Sequence, residues 1–186
     1  MIPEIKILAL GDSLTEGFGV APQYSYPMGL AALLHKKGFN CNVINAGCSG
    51  DTCRNLMTRM DRVLDIGPDV VILEIGLNDI LMGAMPGQIS RMITTIAGRI
   101  TARAIPVILA GMVLPAMGDT ETETAFAAIY PAVAQNLDLV LIPSFNGPAL
   151  EKTGGLQFDG IHPTAAGYAA IIKHMLPWVV QGLARL

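Results

Sequence analysis

At 186 residues, with 52% hydrophobic and 15% charged side chains, the chain reads as one globular domain, residues 1–186, rather than a disordered segment. A formal charge of −3 and the absence of any run of Lys and Arg exclude the basic footprint of a nucleic-acid binder. No apolar stretch reaches the roughly 18 residues of a membrane span.

The first apolar run, Ile5–Leu10, is too short for a signal-peptide core and runs directly into a Gly-Asp-Ser turn. As it stands the chain reads as cytoplasmic, or as periplasmic or secreted if a leader has been removed. Further apolar runs follow at Cys41–Ile44, Val70–Ile75, Ile105–Ala110 and Leu137–Ile142. They lack the alternation of a half-exposed strand and predict strands buried on both faces. Pro27 fits the first turn of a helix reaching about Lys37, with Gly38 at its end. Thr52–Leu64 and Gln88–Arg103 carry apolar residues at i, i+3, i+4 and i+7 spacing and predict amphipathic helices. Pro163 fits the first turn of the last helix, which Pro177 should kink or end before Trp178. Five buried strands alternating with helices predict a three-layer α/β/α sandwich with a five-stranded parallel sheet, flavodoxin-like in outline. Cys41, Cys48 and Cys53 are too few and odd in number for a disulfide framework. They read as small buried hydrophobes, although Cys48 and Cys53 are close enough in sequence to pair in an oxidising compartment. No His or Cys spacing suggests a metal site, and no cofactor is expected.

In parallel sheets ligands gather at the carboxyl ends of the strands. The segments there are Gly11-Asp12-Ser13-Leu14 after strand one, Ser49-Gly50-Asp51 after strand two, Gly76-Leu77-Asn78-Asp79 after strand three, and Asp159-Gly160-Ile161-His162 in the loop before the last helix. Ser13 alone reads more readily as a helix cap than as a nucleophile. His35 and His174 read as members of solvated helix faces, whereas His162 sits in a Gly- and Pro-flanked loop. Asp159, three residues earlier, can reach its Nδ1 if the loop makes one turn, leaving Nε2 to take a proton. Its other reading is a cap for the last helix. The Ser13 and Gly50 amides and the Asn78 carboxamide are candidate oxyanion donors, although Gly50 also reads as a turn residue and Asn78 as a cap. Glu74, inside the third apolar run, reads as a paired structural group. Met112, Leu114 and Met117 read either as loop packing or as an apolar wall for an acyl or aryl group.

The order of GDSL, a glycine-bearing second loop, GxND and DxxH resembles the SGNH hydrolases, also called the GDSL esterase/lipase family, over nearly the whole chain. It is most similar to the small bacterial arylesterase and thioesterase I/lysophospholipase branch. The resemblance implies the SGNH hydrolase fold, with Ser13 as nucleophile, His162 as base and Asp159 as its orienting partner. It implies an oxyanion hole of Ser13, Gly50 and Asn78, and a small-molecule ester as substrate. Leu77 stands where relatives often carry a second glycine, which bears on the pocket shape. The alternatives are a carbohydrate O-acetyl esterase using the same residues and a non-catalytic flavodoxin-like binding domain. The oligomeric state is left open.

Overall fold

The computed structural model describes residues 3–114 and 120–186. Five strands, β1 (Ile5–Gly11), β2 (Cys41–Gly47), β3 (Val70–Leu73), β4 (Val107–Ala110) and β5 (Val140–Ile142), form one all-parallel sheet in the order β2-β1-β3-β4-β5. The helices, in chain order, are α1 (Ser13–Glu16), α2 (Tyr26–Lys36), α3 (Cys53–Leu64), α4 (Leu77–Leu81), α5 (Pro86–Thr101), α6 (Thr120–Ala127), α7 (Ile129–Asn136), α8 (Gly147–Glu151) and α9 (Ala165–Leu183). Helices α2, α8 and α9 pack together on one side, and α3, α5, α6 and α7 on the other, giving the expected three layers.

The apolar runs become strands because helices cover both faces of the sheet. Every residue of β3 and β4 is buried. Strand β2 departs from this expectation. It is an edge strand, its Asn42 and Asn45 are exposed, and it runs past Ile44 to Gly47 in register with Gly11 of β1. The periodic helices form as their spacing predicts. Leu56, Met60 and Leu64 of α3 and Ile89, Ile93, Ile96 and Ile100 of α5 are buried. Full burial of such side chains is worth about 1.5–3 kcal/mol each.

Two expectations about α9 need correction. Pro163 precedes the helix, and Thr164 is the cap, its side chain accepting the Gly167 N–H. Pro177 does not end the helix, which runs on to Leu183. Both Pro177 and Lys173, whose carbonyl loses its helical donor, face solvent, so water can replace the missing bond. The cysteines carry a third correction: Cys41 and Cys53 are buried, but Cys48 is exposed in the loop after β2, and all three are free. Among the described residues no helix is long and apolar enough to cross a membrane.

The chain leaves β1 for β2 on one side and returns to β3 on the other. The loops after β1 and β3 therefore part at the carboxyl edge and open a crevice between them.

Candidate active site

Strand β1 ends at Gly11, a position where nothing larger fits. A Cβ at this position would lie 2.6 Å from Glu74 Oε2 and would also strike Thr15 Oγ1 and the Glu74 carbonyl. Asp12 then caps α1, its Oδ1 accepting the Leu14 N–H at 2.9 Å. The cap is thus Asp12, and Ser13 is the first residue of the short helix, 8% exposed at the crevice.

From the other end of the chain, the loop before α9 is drawn in by short bonds. The Gln157 N–H donates to the His162 carbonyl at 2.7 Å, and the Gln157 side chain bridges the Phe18 and Pro163 carbonyls at 2.8 and 3.0 Å. Within the loop, Asp159 Oδ1 accepts the Ile161 and His162 amides, each at 2.9 Å. Its Oδ2 lies 2.7 Å from His162 Nδ1, and His162 Nε2 lies 2.9 Å from Ser13 Oγ. Partial burial raises the Asp159 carboxyl, but the two amides and the imidazole outweigh it and hold the group below the usual carboxylate range. The Phe18 ring packs on the imidazole with centroids 4.6 Å apart. With Nδ1–H donating to Asp159, Nε2 is the acceptor for the Ser13 hydroxyl.

Loops after β2 and β3 complete the surroundings. Asn78 Nδ2 donates to Asp12 Oδ2 at 3.1 Å and to the Asp51 carbonyl at 2.9 Å. Arg59 from α3 ties the β2 loop to β1, donating to Asp51 Oδ2 at 2.6 Å and to the Gly11 carbonyl at 2.9 Å. The Ser49 N–H donates to Glu16 Oε2 at 2.8 Å, with the Ser49 hydroxyl on the same oxygen. Asp79 Oδ2 accepts the Cys53 N–H at the start of α3, at 2.9 Å. Gly50 is exposed on this loop, and a Cβ would meet nothing within 4 Å. Its glycine requirement therefore comes from a φ of +82°, not from a close neighbour.

Ser13, Asp159, His162 and Asn78 thus come together, with Gly50 on the loop beside them. The apolar candidates divide. Leu77 and Met112 are buried in the core and present no open wall. Leu114 lines a cavity of about 310 Å³ with Ile80, Met85 and Pro86. Met117 lies outside the described residues. Sequence reasoning missed the bracing groups Glu16, Asp51, Arg59 and Gln157, and the ring of Phe18. Their partners lie as far away in the chain as His162 is from Phe18, so spacing gives no signal for them.

The model of the GDSL-like Lipase/Acylhydrolase family matches residues 9–170. Esterase TesA of Pseudomonas aeruginosa is 31% identical over 176 residues, covering 92% of this chain and 86% of that protein. Thioesterase 1/protease 1/lysophospholipase L1 of Escherichia coli K12 is 34% identical over 158 residues, covering 84% and 74%. The crystal structure of AlinE4, an SGNH-hydrolase family esterase, superposes with a TM-score of 0.81 at 34% identity, covering 98% of each chain.

Proposed function

The chain belongs to the GDSL-like lipase/acylhydrolase family, and on that premise we propose that it hydrolyses carboxylic esters through an acyl-enzyme on Ser13. The observation that carries this reading is the unbroken line from Ser13 Oγ through His162 to Asp159, with links of 2.9 and 2.7 Å. A serine hydroxyl is a weak nucleophile until a neighbouring base can take its proton.

Ser13 attacks the ester carbonyl while His162 Nε2 accepts the hydroxyl proton. The charge that develops on the carbonyl oxygen is met by the Ser13 and Gly50 amides and the Asn78 carboxamide. His162 then hands the proton to the leaving alkoxide. A water deprotonated by the same imidazole releases the acid and restores Ser13. Asp159 holds Nδ1 protonated throughout and stabilises the imidazolium. Asn78 begins with both amide hydrogens engaged, so the oxyanion shares or displaces the longer of the two bonds, that to Asp12.

For substrate we propose aryl esters and short-to-medium acyl esters, with thioesters and lysophospholipids as related acyl donors. Support comes from the names of the esterase and thioesterase relatives. A serine-directed organophosphonate should leave one covalent adduct, on Ser13, by peptide mass spectrometry. Labelling elsewhere, or none, removes the reading. A chain-length series of p-nitrophenyl esters and acyl thioesters then sets the acyl preference.

Asn78→Ala should lower kcat by about 10²–10³-fold with KM little changed, because the lost donor acts mainly on the transition state. A raised KM with kcat unchanged would place Asn78 in uniform substrate binding instead.

A further inference from the structure

The turn that carries Gly50 is tied down on both sides of that residue. The Cys48 N–H donates to the Gly11 carbonyl at 3.1 Å, and the Ser49 N–H to Glu16 Oε2 at 2.8 Å. The Asp51 N–H closes the turn on the Cys48 carbonyl at 3.1 Å. Gly50 is exposed, and its N–H is the one amide of this turn with no acceptor among the described residues. A free N–H on an exposed turn stabilises a developing charge well only when its neighbours fix its position beforehand.

Arg59 holds the far side. It stands on α3, which Leu56, Met60 and Leu64 anchor in the core. Its Nε donates to Asp51 Oδ2 at 2.6 Å and its Nη2 to the Gly11 carbonyl at 2.9 Å. Both contacts lie close to oxyanion donors. Gly11 stands two residues before Ser13, and Asp51 directly follows Gly50. The Asp51 carbonyl accepts Asn78 Nδ2 at 2.9 Å. Asp79, next to Asn78, accepts the Cys53 N–H at the start of the same helix at 2.9 Å. One guanidinium thus connects the segments that bear all three donors. Its planar fork sets two bonds in fixed relation, which a point charge does not. The Asp51 side chain is 8% exposed and that of Arg59 24%, so the pair is largely withdrawn from water and has little freedom to rearrange.

We propose, resting on the hydrolytic reading above, that Arg59 is a positioning residue for the oxyanion hole. By bridging Asp51 and the Gly11 carbonyl, it sets the Ser13 amide, the Gly50 amide and the Asn78 carboxamide at one fixed spacing. It touches no reacting atom itself. Its effect falls on the transition state, because a donor misplaced by about 1 Å can cost about 10²-fold in rate.

Arg59→Met keeps the aliphatic stem and removes the fork. The expected result is a kcat about 10–100-fold lower with KM within about threefold of wild type. In an Asn78→Ala background the same change should cost at least about threefold less, because one of the donors that Arg59 positions is already gone. A merely structural loss would multiply in full with that of Asn78→Ala. Such multiplication, or an unaltered kcat, overturns the proposal. Should Arg59→Met not fold, Arg59→Lys takes its place, since lysine keeps the charge beside Asp51 but lacks the fork. It should lower kcat by at least about threefold, again by less in the Asn78→Ala background, and wild-type kcat in it overturns the proposal. Organophosphonate labelling of the wild type is scored separately. If Ser13 is labelled while the arginine variants keep their kcat, the role of Arg59 falls and the hydrolytic reading stands. If Ser13 is not labelled, the hydrolytic reading falls and the role of Arg59 falls with it.

Discussion

Ser13→Ala is expected to lower turnover of a p-nitrophenyl ester by up to about 10⁶-fold, the scale on which triad nucleophiles act. The same change should hardly touch stability. The lost hydroxyl bonds to His162 at 2.9 Å, and the cap of α1 is Asp12, so the helix keeps its first-turn bond to the Leu14 amide. A buried alanine in place of serine at the head of a four-residue helix opens no large cavity, and the thermal midpoint should stay close to that of the wild type. Measuring kcat and the melt on one preparation separates chemistry from folding. A folded variant with near-wild-type esterase activity would sink the assignment of the nucleophile.

Asp159→Asn should cost up to about 10⁴-fold in kcat, through the tautomer rather than through the fold. The asparagine oxygen can still accept the Ile161 and His162 amides that Asp159 Oδ1 accepts now. Its NH₂ would then face Nδ1, force the ring proton onto Nε2, and leave no lone pair towards Ser13. The carboxylate is 39% exposed, so water can partly replace it, and the figure is an upper one. The sign of the pH dependence follows from the depressed carboxyl. Asp159 contributes stability that is present above its unfolded-state value of about 3.9 and is lost only as pH falls through the lower folded value. Asp159 is therefore ionised at neutral pH. A loss smaller than tenfold, with an unshifted profile, would reduce Asp159 to a loop cap.

The contrast between what composition and spacing reveal and what they hide is sharpest around Glu74. The run Val70–Ile75 is legible as a strand because burial on both faces demands unbroken apolar side chains. Its true end at Leu73 is not, because the partner that stops it, the turn at Asp12 and Thr15, lies about sixty residues away in the chain. The run Leu137–Ile142 was too long for a related reason. Leu137 ends α7, and Asp138 turns the chain with a φ of +51° before β5 begins at Val140. Ser13, Asn78, Asp159 and His162 could be nominated because each follows a strand or precedes a helix in a short polar segment. Their bracing could not, since Arg59 on Asp51, Glu16 on Ser49 and Gln157 on Phe18 are pairings made only by the fold. Met112 misled for a simple reason: an apolar residue just beyond a strand can turn into the core as easily as towards a ligand, and here it is 1% exposed.

The hydroxyl and the imidazole that meet at 2.9 Å are separated by 149 residues of chain. During synthesis Ser13 leaves the ribosome 149 residues ahead of His162, which follows only after all five strands have been made. A nascent chain halted anywhere before residue 162 carries its serine with no base to activate it. On the proposed hydrolytic reading, the reactivity of Ser13 towards acyl groups is withheld until the last segment docks.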